Sequence, residues 1–246
     1  MNFDFNYDWL ASFVCFAGLV LTSMVGRAIA FRIPALKQTL EVNVAENQEK
    51  WHEQGKKYHH RVKSSKQIGF AINLFFYVAI LPFIASMSPQ SIWKILLDVV
   101  LILMVYDLFY YVVHRFLFHG EGYFRRVHAV HHQARSRVSS IDSHLLHPME
   151  IFIGIALYFL TISLLAILGL APFHVVTIII STVVYVELNQ INHCRIDLQG
   201  FPYRLINWIA MKHDAHHINM HKGNFATITL LYDKMFGTYE IHPLEK

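Results

Sequence analysis

Residues 92–132 read IWKILLDVVLILMVYDLFYYVVHRFLFHGEGYFRRVHAVHH, an apolar stretch that runs into five histidines within nineteen positions. Ile92 to Val113 carries only Lys94, Asp98 and Asp107 among apolar residues. At 1.5 Å per residue it is long enough to cross a hydrocarbon core of about 30 Å. The histidines follow at its end: His114 and His119 in HRFLFH, then His128, His131 and His132 in HAVHH. The pattern H-x-x-H-H returns once, as HDAHH at His213, His216 and His217. Side chains three and four apart share a helix face, so each copy is expected to aim three imidazoles at one point, as a metal centre requires. Thirteen of the seventeen histidines lie between His114 and His221, a concentration that scattered structural histidines do not explain.

Hydrophobic residues make up 54% of the 246-residue chain and charged residues only 15%, outside the ordinary range of soluble proteins. Ile68–Met87 and Ile151–Leu170 are charge-free runs of twenty residues and read as spans. Trp9–Val25 and Ala171–Val186 are shorter span candidates. The first is read as a retained span rather than a cleaved signal, because no Lys or Arg precedes it. The expected fold is an all-α integral membrane protein of four to five transmembrane helices, with a cytosolic histidine-rich helical cap holding a di-metal site. Residues 1–246 are expected to form one membrane domain. Within it, 1–66 hold the first span and a basic cytosolic loop, 67–113 a transmembrane hairpin, 114–148 the first histidine-rich cap segment, 149–190 a second hairpin and 191–246 the second cap segment.

Orientation is read from Lys and Arg, which stay on the cytoplasmic side. The stretch from Arg27 to Lys66 is rich in both, so Asp4, Asp8 and the Ser88–Ser91 turn are expected on the far side. All three histidine clusters then land on the cytoplasmic face. The formal charge of +4 suits anionic headgroups, and there is no basic arm or aromatic platform for nucleic acid. Cys15 and Cys194 are expected to be unpaired thiols.

Neutral imidazole suits zinc, copper, iron and nickel alike. Eight histidines in three clusters exceed what one ion can use, so two metals are the simpler account. His193 is a ninth imidazole, with Asn189 four residues before it on the same face. His114 and His119, five apart, fall on different faces of an ideal α-helix, so either the helix ends between them or they serve different metals.

With DLFYYVVHRFLFH, VHAVHHQARSRVSSIDSHLLHPME, NQINH, KHDAHH and NFATITLLYDKMFGTYE in this order, the chain resembles the fatty acid hydroxylase and sterol desaturase superfamily of membrane di-metal enzymes over roughly 107–240. The resemblance implies two iron ions, with zinc able to replace them in preparations, and O2 as co-substrate. Carried over position by position, it implies His114, His119, His128, His131, His132, His193, His213, His216 and His217 as ligands. Many relatives have a histidine where this chain has Asn189, which could ligate weakly or leave a position open. Asn224, Phe225 and Ala226 stand where the family has Asn, an aromatic residue and Gly, at an expected turn.

His144, His147 and His221 are candidates for shaping the site, and less readily for ligation. Asp107 lies seven residues before His114, where a carboxylate would accept a ligand histidine's ring N–H. The same reading extends weakly to Asp98 and Glu187. His174 is read as structural, and His52, His59, His60 and His242 as solvated. Tyr110, Tyr111, Phe116 and Phe118 suit interface anchors better than channel walls, so no substrate-binding residue is named.

The expected activity is O2-dependent hydroxylation, or desaturation, of a lipid such as a sterol or fatty acyl chain. A metal or haem carrier is the alternative, although a carrier should place its ligands at the bilayer midplane. Gly120 and Gly122 make only an isolated G-x-G, so electrons are expected from an external donor or reductase.

Overall fold

The computed structural model describes residues 7–134, 138–198 and 200–243, so Asp4 lies outside the described residues. Helix α1, Trp9–Ala30, starts where Asp8 accepts the amide of Ala11 at 2.8 Å, and α2 spans Pro34–Glu53 with proline at its first position. Helix α3, Lys56–Phe75, continues through a π-helical turn at Phe76–Ile80 to Phe83. Helix α4, Ile92–Val112, is capped by Ser91 and widens into a π-helix over Val113–Phe118. Then come α5, Tyr123–His128; α6, Pro148–Leu165; α7, Val175–Asn192; α8, Arg204–Ile218; and α9, Leu231–Met235. Among the described residues, one small sheet pairs β1, Ala85–Ser86, with β2, Phe173–His174, in parallel.

Among the described residues, five helical stretches are long and apolar enough to cross a membrane: 9–30, 56–83, 92–118, 148–170 and 175–192. The chain is a multi-pass membrane protein, and the expected four to five spans resolve to five. Helix α1 packs on α7, α3 on α6, and α4 on both α6 and α7. Between membrane helices there is no water to expel, so association rests on close packing of small residues and on polar contacts. Gly18 of α1 and Gly69 of α3 have this role: a Cβ would come 2.5 Å from Ile179 and 3.3 Å from Ile155 respectively. Phe76 stacks on Phe159 at 3.8 Å, and Tyr158 hydrogen-bonds Ser181 and Thr182 in the middle of the bundle.

The β1–β2 pairing and the bond from Asp8 N to Pro82 O gather the start of α1 and the α3–α4 and α6–α7 turns at one end. The histidine-bearing segments follow the opposite ends of α4 and α7. The segment read as a basic loop differs: it is helical, as α2 and the first turns of α3. Helix α2 docks through polar groups, Asn43 on the backbone of Arg195, Asn47 on Ser140 and Ile141, and Lys50 on Asp142. An anchoring face made of Asn and Lys leaves no apolar period to read, which is why it looked like a loop.

Candidate metal centre

The nine histidines form two groups, His114, His119, His128, His132 and His216 in one, and His131, His193, His213 and His217 in the other. Within each group the candidate ligand nitrogens all lie within 4.8 Å of one another. Neither group follows the motif boundaries. His128 and His132 join the first group while His131, between them, joins the second, and in HDAHH the division is reversed: His213 and His217 in the second, His216 in the first. The expectation that each H-x-x-H-H aims all three rings at one point is therefore corrected. In HDAHH, which lies within α8, positions i and i+4 are roughly 40° apart, whereas i+3 lies roughly 60° to the other side. In HAVHH, α5 ends at His128 and a 3-10 turn over His131–Gln133 carries the other two rings, yet the first and last histidines pair in the same way. Each motif thus supplies a pair to one group and a single ring to its neighbour.

His114 and His119 meet in the same group because α4 widens. Over Val113–Phe118 the hydrogen bond from His119 N reaches the carbonyl of His114 at 3.0 Å, five residues back. In a π-helix five residues complete roughly one turn, so the two rings fall on one face. The helix ends at Phe118, between the two histidines, as the first of the two alternatives has it, and the wider winding before that end brings both rings into one group.

Six of the nine rings donate Nδ1–H outward. His114 donates to Phe225 O (2.7 Å), His119 to Met220 O (2.7 Å), His193 to Asn189 O (2.7 Å), His216 to Gly223 O (2.8 Å), His217 to Ala134 O (3.1 Å) and His128 to the Glu150 carboxylate (2.6 Å). Each of these bonds fixes the tautomer and turns the Nε2 lone pair inward. The Nε2 atoms of His128 and His114, His128 and His132, His193 and His131, and His193 and His213 then face each other at 3.0 Å. His119 Nε2 and His216 Nε2 are buried without a partner. Converging lone pairs repel unless a cation lies among them, so the residues fit a metal in each group. Burial, with His216 next to it, pushes the His119 imidazole down to about 3, and burial pushes His216 down to about 4. Neutral, ligand-ready rings are the resting form.

The other site candidates separate. Asp107 is corrected: it touches no histidine and instead accepts the amides of Thr227, Ile228 and Thr229 and the Thr229 hydroxyl at 2.8–3.0 Å. It thereby holds the strand of chain that presents Phe225 O to His114. His147 caps α6 by accepting the amide of Met149, and the carbonyl of His147 receives the amide of Glu150. His221 is exposed, outside both groups. His144 lines the cavity beside His193, its imidazole pushed down to about 4 by burial and then by Lys66. Asn189 also lines that cavity, while its backbone orients His193. Asp98 pairs with Lys94 and Glu187 with Arg27, so neither supports a ligand. His242, read as solvated, is buried and paired with Asp214. His174 caps α7, as a structural histidine would. Cys15 and Cys194 are free thiols, and Cys194 joins neither group.

Glu150 is the residue the sequence reading missed. Its signal was present, an acid in the first turn of an apolar helix, the same rule applied to Asp98 and Glu187. Asn224 and Asp233 were missed as scaffolds. Asn224, at φ +62°, bonds Lys212 O, Glu240 O and Glu240 N, and Asp233 accepts the amides of Phe225 and Ala226.

A cavity of about 320 Å³ runs from His114, His131, His193 and His213 down between the spans, past Tyr110, Phe118 and Ile155 to Tyr158, Phe159 and Thr182. Tyr110 and Phe118 are therefore cavity walls; Tyr111 is buried against Phe225, and Phe116 is exposed.

In comparison with known proteins, the chain is 29% identical over 183 residues to methylsterol monooxygenase 2-2 of Arabidopsis thaliana, covering 69% of this chain and 64% of that protein. It is 31% identical over 156 residues to a Dictyostelium discoideum protein provisionally named as a methylsterol monooxygenase, covering 60% and 53%. The matches thus span less than two thirds of these relatives' length. No solved structure matches the chain. The family model for fatty acid hydroxylases matches residues 99–238, more than half the chain and all nine grouped histidines, and the chain belongs to the fatty acid hydroxylase family.

Proposed function

We propose that this protein is a membrane-bound, di-iron, O2-dependent lipid hydroxylase, with desaturation the related outcome, acting on a sterol or fatty acyl chain. The observation that carries the reading is the juxtaposition of two all-histidine groups with an apolar cavity descending between membrane spans. The names of the relatives support the hydroxylase half of it.

The five-histidine group and the four-histidine group would each hold one iron, supplying the oxidising power for an unactivated C–H bond that redox-inert zinc lacks. The chain's own part is placement and exclusion. Outward Nδ1–H bonds keep the rings neutral and aimed; Glu150 orients His128; Asp107 ties residues 227–229 to α4, Asp233 ties Phe225 and Ala226 to α9, and Asn224 ties the start of the segment to α8. Tyr110, Phe118 and Ile155 hold an apolar chain near the rings and keep water away. The groups sit at the ends of α4 and α7 rather than at mid-span, which weighs against a carrier. We place this face in the cytoplasm, where an external electron donor or reductase would dock.

The test is lipid mass spectrometry of membranes with and without the protein, alongside its iron content. A lipid gaining one oxygen, or losing two hydrogens, is expected. Unchanged lipids with iron loaded and a competent reductase present would overturn the reading.

A further inference from the structure

Helices α1 and α3 border the same cavity, yet they pack on different partners. Helix α1 lies along α7, and α3 along α6. They meet each other where α3 ends, over Phe76–Phe83, with the Ser12 hydroxyl on Tyr77 O and Tyr7 OH on Val78 O at 2.9 Å. Toward the histidine end the seam between them is bordered by Leu19 on one side and by Phe70 and Asn73 on the other, all of which line the inner cavity. On the lipid side of the same seam lies a second, apolar hollow of about 270 Å³, lined by Phe13, Phe16 and Leu74 and again by Phe70 and Asn73. Phe70 is 65% exposed on the bundle's flank, and α1 is the least buried of the five spans.

We propose that the α1–α3 seam is the portal through which a bilayer lipid reaches the histidine groups, and that Phe70 is its threshold. This rests on the lipid-enzyme reading above. Three observations support it together. Two hollows share Phe70 and Asn73, the inner one ends at His131, His193 and His213, and the outer one is walled by the exposed apolar residues Phe13, Phe16, Phe70 and Leu74 of two spans. The occupant is therefore apolar over most of its length and comes from the membrane rather than from water. Pinning at Ser12–Tyr77 leaves α1 able to lean away from α3 above that point without breaking its contact with the turn at Phe76–Phe83.

The experiment places the full-length protein in nanodiscs containing a phospholipid with a diazirine in its acyl chain, and maps the photoadducts. Adducts are expected on Phe13–Leu19 and Phe70–Leu74, with a second set on the inner wall at 150–159, in metal-loaded and metal-free protein alike. Phe70→Trp, which adds bulk at an exposed position, should suppress the inner set, spare the outer set, and raise KM severalfold with kcat unchanged. Adducts spread evenly over all five spans would overturn the portal, as would inner labelling and KM indifferent to Phe70→Trp. A cross-link between two copies at this seam would show it sealed by a second chain and would overturn it too. Labelling needs no turnover, so loss of the hydroxylase reading alone would leave the adduct pattern in place.

Discussion

Nδ1 of His128 donates to Oε1 of Glu150 across 2.6 Å, with both side chains almost fully buried. One is a ring of the five-histidine group; the other opens a membrane helix. The carboxylate sets which way His128 faces, so Glu150→Ala should leave the Nδ1–H unpaired and the ring free to turn. Metal affinity at the five-histidine group should fall on the order of 10–100-fold, with a smaller loss in Glu150→Gln, which keeps an acceptor. Metal content after dialysis against graded chelator measures this. Both substitutions leaving release unchanged would remove the orienting role.

The division of each H-x-x-H-H between groups makes a prediction that the motif pattern alone reverses. His128 and His216 come from different motifs but the same group, so the double replacement His128→Ala/His216→Ala should still retain one metal. His128→Ala/His131→Ala comes from one motif but strikes both groups, and should retain none. Elemental analysis of the purified variants decides between the two partitions.

Asp107 holds three backbone amides and a hydroxyl of residues 227–229 from within α4. Asp107→Ala orphans those donors in a partly buried place and should cost about 3 kcal/mol. The cost falls first on the segment leading back to Phe225 O, which orients His114. Hydrogen exchange at 225–229 should accelerate before the spans loosen, and the thermal midpoint should drop. Uniform destabilisation with slow exchange retained at 225–229 would contradict this.

Much of this was legible from the chain because apolar length and histidine spacing are local signals. The five spans and the nine clustered rings follow from runs such as Ile151–Leu170 and from HAVHH and HDAHH. The rest depends on long-range partners. Glu150 meets His128 across 22 residues and Asp107 meets Thr229 across 122, and no spacing rule encodes either. The π-winding at Val113–Phe118 escaped because the ideal helix was assumed, although the five-residue interval from His114 to His119 was its visible trace.

Stability should fall as the solution is acidified from neutral. Burial holds His119 at about 3 and His216 and His144 at about 4, below the roughly 6.5 of an unfolded imidazole. Between those values the unfolded chain binds more protons than the folded one, so these groups favour folding above pH ~6.5 and lose that contribution as pH drops toward 4. Thermal midpoints of metal-free protein in detergent, measured from pH 7.5 to 4.5, should decline steadily. Bound metal should defer the decline, since it too requires neutral rings. A flat profile would mean that the rings are not buried as described.

Asn189 lines the same cavity as His193, one helical turn before that ring of the four-histidine group. Its carbonyl already orients His193, a backbone contact that substitution preserves. Asn189→His therefore should offer the smaller group a fifth imidazole without disturbing the other four, from a position that lines the cavity. Tighter metal retention with slower turnover is the expected pair of effects, because a ring placed there adds a ligand and takes up room that O2 and the substrate chain would share. Chelator-challenge half-life and product formation, measured on the same preparation, read the two separately. Retention unchanged from wild type would mean that the Asn189 side chain does not face the four-histidine group, and turnover unchanged despite tighter retention would mean that this face is not where O2 and substrate meet.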